Sequence, residues 1–411
     1  MNPLPILAAL LLGLILGALG QGSDWGGWVA GFTAPVGGLW LNALKMTIVP
    51  LVVSLLITGI AKTAEAGRAG RLAGVSVVCF LVILWSSSVL AAFMTPWLAD
   101  LIPLIDSSSD ALRTSLSSGK AMGAVPGMAD FFMSIIPANP IAAAANDAIL
   151  PLIVFSGAFA FATLRLPSDQ RQTLTGFFEA IGETMLTIIG WVLWLAPLGV
   201  FALAFGVAAQ SGLAALGLLA HYVLILSLVG TVVWLAAWLV AWIGGGVNPL
   251  AFTRAILPAQ AVAISTQSSL ASLPAMLKAV ESLGVPAVKA DIILPMAVAL
   301  FRATGPAMNL GVALYIAHSL GIKPEPWQLL AGVAAAATTT IGAVSLPGQL
   351  SFVSSIAPIG LAMGIPIEPL ALLIAVETLP DIMRTMGNVS MDVAVTTVIN
   401  RITGDNAKPL A

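Results

Sequence analysis

The sequence predicts an all-α polytopic membrane protein: eight transmembrane helices plus two re-entrant helical hairpins, related as inverted repeats. Three observations carry this prediction. Of 411 residues, 59% are hydrophobic and 8% are charged, against roughly 25% charged in soluble domains, and the mean hydropathy is +1.03. Charges are missing from long windows of the chain. Two apolar segments are interrupted part-way by hydroxyl-rich stretches that close on proline. This composition excludes a soluble enzyme, a nucleic-acid binder and a disordered chain. The net charge of −2 says nothing about partners.

A span needs about 20 mostly apolar residues. Residues 3–23, 25–44, 46–61, 72–99, 148–164, 184–253, 255–277, 303–322 and 326–367 carry no Asp, Glu, Lys or Arg. Spans are expected near 4–22, 28–60, 72–97, 131–164, 176–207, 214–244, 287–320 and 367–400. The stretch from Met1 to Gly20 lacks the basic start of a cleaved leader and reads as a retained helix. Segments 252–283 and 325–362 remain. The first contains Ser265-Thr266-Gln267-Ser268-Ser269-Leu270-Ala271-Ser272-Leu273-Pro274, the second Thr338-Thr339-Thr340-Ile341-Gly342-Ala343-Val344-Ser345-Leu346-Pro347-Gly348. Broken apolar segments at corresponding places point to paired hairpins around a midplane site; two Pro-kinked spans are the alternative.

Cations favour the hairpins. Lys and Arg concentrate on the cytoplasmic side. With the N-terminus inside and both segments re-entrant, ten cations lie inside (Lys62, Arg68, Arg71, Arg165, Arg171, Arg254, Lys278, Lys289, Arg401, Lys408) and three outside (Arg113, Lys120, Lys323). Full crossings would reduce this to eight against five. Segment 98–130 is then a long outer loop.

A charge at the centre of a span costs roughly 2.5–3.5 kcal/mol, so each one needs a partner or a function. The last span holds Glu377, Asp381, Arg384, Thr385, Asn388 and Asp392. At about 100° per residue all six fall within an arc of about 100°. Arg384 offers a planar fork for a carboxylate, and Asp381 an acceptor for an ammonium group. Asp392 and the Asn388 carbonyl are hard oxygen ligands for a small cation. The alternative is an internal salt bridge from Arg384 to Asp381 or Asp392. The seventh span carries Phe301-Arg302-Ala303-Thr304-Gly305-Pro306, whose Gly and Pro break a helix. Arg302 beside that break is either a counter-ion for Asp392 or Asp291, or a tethered cation in the space of an ion. Ser86, Ser87 and Ser88 are hydroxyls in the third span.

Other signals are weaker. Cys79 is the single cysteine, so no disulfide framework is possible within one chain. His221 and His318 are too few and too far apart in sequence to suggest a metal site. Lys45 reads as snorkelling to an interface, and Glu179 with Glu183 as an interfacial pair. A membrane-embedded enzyme would need a nucleophile with its base or a metal cluster; the chain has neither His-Glu-x-x-His nor Gly-x-Ser-x-Gly.

These residues together resemble the dicarboxylate/amino acid:cation symporter, or glutamate transporter, family over nearly the whole chain. Leu44-Lys45-Met46-Thr47-Ile48-Val49-Pro50-Leu51-Val52 is similar to its second-span motif, Pro137-Ala138-Asn139-Pro140 to its fourth-span break and Ala196-Pro197-Leu198-Gly199-Val200-Phe201 to its fifth. Residues 266–274 and 341–348 resemble its two hairpin tips. Asp381-x-x-Arg384-Thr385-x-x-Asn388-x-x-x-Asp392 resembles its eighth-span signature and is the most specific match.

The resemblance implies an elevator-type secondary transporter, a homotrimer in the cell inner (plasma) membrane with a cytoplasmic N-terminus. Scaffold segments would be 1–71 and 99–210, the latter including the outer loop. The transport domain would comprise 72–98 and 211–411. Arg384 would bind a side-chain carboxylate, and Asp381 and Thr385 an amino group. Asn388 and Ser269 would meet the α-carboxylate, with backbone at Ser268, Leu346 and Gly348. Asp392, Asn388, Ala297 and Phe301 would mark a sodium site. The substrate implied is an acidic amino acid, glutamate or aspartate. Alternatives are a C4-dicarboxylate, a neutral amino acid, or a relative that no longer transports. The family's seventh span reads Asn-Met-Asp-Gly-Thr where this chain has Phe301, Arg302, Ala303, Thr304 and Gly305. The expectation is therefore that sodium coupling is weakened or replaced by protons, with Glu377 or Asp381 carrying them; no cofactor other than such a coupling ion is expected.

Overall fold

Capping side chains and helix-breaking residues decide where each element begins and ends. The computed structural model describes residues 4–68, 70–103, 133, 135–146, 148–211, 214–341 and 348–404. Among these there are helices and no strands. In chain order they are α1 (Leu4–Gly20), α2 (Asp24–Lys45), α3 (Ile48–Arg68), α4 (Arg71–Leu101), α5 (Pro140–Ala145), α6 (Ile149–Thr163), α7 (Ser168–Trp194), α8 (Ala196–Ser211), α9 (Ala214–Leu239, closing in a π turn), α10 (Pro249–Thr266), α11 (Ser269–Ser282), α12 (Ala287–Leu300), α13 (Thr304–Ser319), α14 (Pro326–Ile341), α15 (Gly348–Ala362), α16 (Leu370–Leu373) and α17 (Thr378–Thr403). Ser23, Asn139, Asn248 and Ser268 each cap the following helix by accepting from a backbone N–H one turn in, which satisfies donors the helix cannot.

Among the described residues four helical runs are long and apolar enough to cross a membrane: Asp24–Glu65, Arg71–Leu101, Ser168–Trp194 and Leu216–Gly244. The other expected spans are shorter or divided. The seventh is cut between Leu300 and Thr304. The last is diluted by its own polar stripe. Within the fourth, α5 starts at Pro140 and α6 at Ile149. The two leftover segments are each a pair of short helices packed on one another, α10 with α11 and α14 with α15. Between α10 and α11 the chain reverses through Gln267, at φ +50.

Two packing groups follow. In one, α1 lies along α8, and α3 lies against α6 and α7. Gly13 and Gly17 make the α1 contact: an added methyl would sit 2.7 Å from the Phe201 carbonyl oxygen and 2.5 Å from that of Phe205. Small residues four apart let two backbones approach this closely where no hydrophobic effect drives helices together. Trp40 Nε1 donates to the Val192 carbonyl at 2.8 Å, joining α2 to α7. Lys62 pairs with Glu179 at 2.7 Å, and Arg171 with Glu65 at 3.6 Å.

The other group is α4 and α9 to α17, with α13 at its centre. Every residue of α13 except His318 is buried, as expected of a helix apolar on all sides. It packs against α4, α9, α14 and α15. Lys45 donates to Glu368 at 2.7 Å and links α2 to the segment before α16.

Candidate functional site

The break between α12 and α13 is made by hydrogen bonds from neighbouring helices in place of its own ladder. Phe301 N still donates to the Ala297 carbonyl at 2.7 Å, closing α12. Ser87 Oγ on α4 then donates to the Ala303 carbonyl at 2.5 Å. On the other side, Asn388 Oδ1 on α17 lies 3.0 Å from Thr304 N and 2.7 Å from Thr304 Oγ1. Thr304 Oγ1 also reaches the Arg384 carbonyl at 2.9 Å. Asn388 thus caps α13 from another helix. The fit depends on Gly387, where a Cβ would meet Thr304 Cγ2 at 2.4 Å. Phe301 stacks on Phe80, ring centres 4.8 Å apart.

One turn towards the start of α17 lies the charge cluster. Arg384 Nη2 pairs with Glu377 Oε1 at 2.6 Å, and Nη1 donates to Asn309 Oδ1 at 2.5 Å. Nε lies 3.2 Å from Asp381 Oδ1, an ion-pair distance without hydrogen-bond geometry. The other Glu377 oxygen accepts from Tyr222 at 2.7 Å. Glu377 is 1% exposed and Asp381 5%, so these charges are balanced by one another rather than by water. Thr385 is buried, and its hydroxyl donates to the Asp381 carbonyl at 2.9 Å.

Asp392 differs. It is fully buried, and neither carboxylate oxygen has a hydrogen-bond partner. Arg302 lies within electrostatic range of both Asp392 and Asp381. Asp291, the other counter-ion considered, is exposed. Among the described residues the expected sodium positions offer few oxygens: Phe301, Arg302 and Ala303 supply none from their side chains, the Asn388 oxygen is engaged by Thr304, the Ala297 carbonyl by Phe301 N, and a guanidinium stands near Asp392. Among the described residues no three His, Cys, Asp or Glu converge to hold a metal ion.

The residues singled out in sequence therefore meet only in part. Five of the six polar groups of the last span lie on α17 and Glu377 sits at its N-cap position; five of the six are buried: Glu377, Asp381, Thr385, Asn388 and Asp392. The internal salt bridge is present, but Arg384 joins Glu377 and Asp381 and leaves Asp392 aside. Ser268 caps α11 through Ala271 N at 3.2 Å, and Ser269 lies half-buried beside it. Gln267 Nε2 donates to the Thr378 carbonyl at 3.1 Å, tying this tip to the start of α17. Gly348 opens α15. Leu346 and the rest of 342–347 lie outside the described residues. Ser87 meets the helix break, whereas Ser88 donates to the Val333 carbonyl at 2.9 Å and Ser86 bonds within its own helix. Sequence reasoning missed Asn309 and Tyr222. Their signal was a lone Asn in the uncharged window 303–322, and a Tyr inside the uncharged window 184–253.

A profile of the sodium:dicarboxylate symporter family matches residues 3–402. The chain belongs to that family. It is 30% identical over 401 residues to the proton/glutamate-aspartate symporter of Escherichia coli (strain K12), covering 93% of this chain and 89% of that protein. It is 26% identical over 400 residues to the proton/sodium-glutamate symport protein of Geobacillus stearothermophilus, covering 93% and 90%. It is 25% identical over 406 residues to C4-dicarboxylate transport protein 2 of Polaromonas naphthalenivorans (strain CJ2), covering 97% and 88%. As a member of the sodium:dicarboxylate symporter family this is a membrane transport protein and not an enzyme.

Proposed function

We propose that this chain is a plasma-membrane symporter of acidic amino acids, glutamate or aspartate, coupled to protons rather than sodium. The observation that carries the proposal is the Arg384 guanidinium, held in a buried cluster between Glu377, Asp381 and Asn309 on the family's signature helix. A guanidinium fork selects a carboxylate. Asp381 beside it selects an ammonium group, which a plain dicarboxylate lacks.

Charge balance supports coupling. The buried groups Glu377, Asp381 and Asp392 oppose Arg384 and Arg302, an excess of one carboxylate when all are ionised. An acidic amino acid adds a further net negative charge. In a low-dielectric interior that excess is strongly unfavourable, so a proton or cation must enter with the substrate. The oxygen-poor break at 301–303 disfavours sodium. The similarity to a proton/glutamate-aspartate symporter points the same way.

By the same reading segments 72–98, most of α4, and 211–411, which holds α9 to α17, form the moving part of an elevator. Segments 1–71 and 99–210 form the scaffold of a homotrimer with a cytoplasmic N-terminus. A crevice of about 430 Å³ runs between these parts, bordered by Leu55, Lys62 and Glu179 on one side and Leu270, Pro295 and Ile341 on the other.

The test is uptake by the purified chain in liposomes. An inside-alkaline pH gradient without sodium should accumulate glutamate or aspartate, with D-isomers and succinate run as competitors. Arg302→Met combined with Ala303→Asp should make uptake respond to sodium. Uptake by the unaltered chain that requires sodium refutes the proposal, as does accumulation of succinate in preference to both amino acids.

A further inference from the structure

The hairpin of α10 and α11 carries a groove of about 530 Å³ on its outer side. Its other side, with Phe252, Ile256, Ala259 and Ala263, is buried against neighbouring helices. Ala271, Ala275 and Ala279 line the groove from α11 and Ala255 lines it from α10. Residues four apart share one face of a helix, so a row of methyl groups keeps the floor low. Arg254 and Lys278 belong to the same lining, one from each helix, and both are exposed. The chain turns at Gln267, so both cations sit towards the open end of the hairpin, away from its tip. No lining residue is acidic. Among the described residues neither cation has an ion-pair partner. Glu281, the nearest carboxylate in sequence, is exposed and outside the lining.

This arrangement has the polarity of a lipid. Between the two cations in sequence, residues 255–277 carry no charge. From Arg254 to the turn the helix rises about 20 Å at 1.5 Å per residue, roughly two thirds of a hydrocarbon core of about 30 Å. With the orientation proposed above, the cations lie at the cytoplasmic edge and the groove runs from them into the membrane. A water-soluble metabolite finds little to bind there. The only uncharged hydroxyl in the lining is that of Ser282, which donates to the carbonyl of Ala279 in its own helix. An acyl chain fits the apolar floor, and exposed Leu257 and Ile264 on α10 extend the apolar surface. Basic pockets between helices on the cytoplasmic side suit anionic headgroups. A zwitterionic headgroup brings its own cation and gains less from two more.

We propose that this groove is a binding site for one anionic phospholipid of the cytoplasmic leaflet, its phosphate held between Arg254 and Lys278 and one acyl chain laid along the alanine floor towards the hairpin tip. The site belongs to the hairpin alone and is independent of the substrate and of the coupling ion.

The test is a titration of the purified full chain in uncharged detergent, with bound lipid counted by native mass spectrometry. Phosphatidylglycerol should occupy a saturable site more tightly than phosphatidylcholine, and glycerol 3-phosphate, which has no acyl chains, should not bind. A cation beside an anionic lipid surface contributes about fivefold in affinity, so Arg254→Gln combined with Lys278→Gln should weaken phosphatidylglycerol binding by roughly 25-fold. Ala275→Trp, which fills the groove and keeps both charges, should also abolish the site. Arg71→Gln combined with Arg165→Gln removes two exposed cations elsewhere and should leave the affinity unchanged. Equal affinity for the two lipids, an equal loss in this control pair, or binding that survives both groove variants overturns the proposal. Binding of glycerol 3-phosphate overturns it in favour of a simple anion site, and a lower oligomeric mass for Ala275→Trp in favour of a second copy of the chain in the groove.

Discussion

Glu377→Gln tests the competition at the centre of the cluster. In the structure Glu377 holds one donor of Arg384 at 2.6 Å and that of Tyr222 at 2.7 Å. A substrate carboxylate that binds Arg384 must compete with this carboxylate for the same guanidinium. A hydrogen bond to a charged group contributes about 1.5–3 kcal/mol, and one between neutral groups about 1. Glutamine keeps a carbonyl acceptor for Arg384 but loses the carboxylate's charge; the difference between the two figures is ~0.5–2 kcal/mol, roughly 2–30-fold in an equilibrium constant. Glutamine also mimics the protonated acid. Calorimetric titration of the purified variant should therefore show glutamate binding tighter by that factor at alkaline pH. Its affinity should no longer depend on pH, whereas the unaltered chain should bind more tightly as pH falls. Accumulation driven by a pH gradient should be lost while exchange persists. Unchanged affinity, or a pH dependence that survives the substitution, would refute the reasoning, because neither is compatible with Glu377 competing for Arg384 and carrying the proton.

Gly387→Ala places a methyl 2.4 Å from Thr304 Cγ2; overpacking of this kind costs ~1–3 kcal/mol, read as a lower melting temperature in detergent, and an unshifted transition counts against the close fit of α13 on α17. Gly17→Leu should separate α1 from α8, whose Phe205 carbonyl oxygen lies 2.5 Å from the built Cβ; lowered thermal stability with substrate affinity preserved is the expected pattern, and lost affinity would contradict the placement of α1 away from the site. Lys45→Ala removes a half-exposed ion pair with Glu368 that should contribute no more than about 1 kcal/mol; a larger loss of stability by chemical denaturation would show that this link does more than hold two surfaces together.

The last helix was legible because charges inside an apolar segment are costly, so a stripe of six on one face had to point inward. The break at Phe301 to Ala303 was legible too, since Gly305 and Pro306 announce it. The partners were not. The stripe's geometry allowed Arg384 to reach Asp381, which it meets, or Asp392, which it does not; that it also takes Glu377 and Asn309 depends on the rotamer of a long side chain and on a residue 75 positions away in sequence. Tyr222 was hidden for the same reason: sequence windows show that a residue is in a span, not which neighbour it faces. Helix lengths were over-read where polar stripes, prolines and backbone breaks divide a continuous apolar stretch, as in the seventh and last spans. The two histidines looked unrelated at 97 residues' separation, yet the antiparallel run of α9 and α13 brings both to one end of the bundle.

The interruption between α12 and α13 has a mechanical corollary. Its loose backbone is gripped by Ser87 from one neighbour and by Asn388 from another, so three separate stretches of chain share a single clasp. Sliding any one past the others would strip a carbonyl or an amide of its partner in a place water cannot reach. On the elevator reading proposed above, the arginine and this clasp would move as one piece, cargo and carriage together.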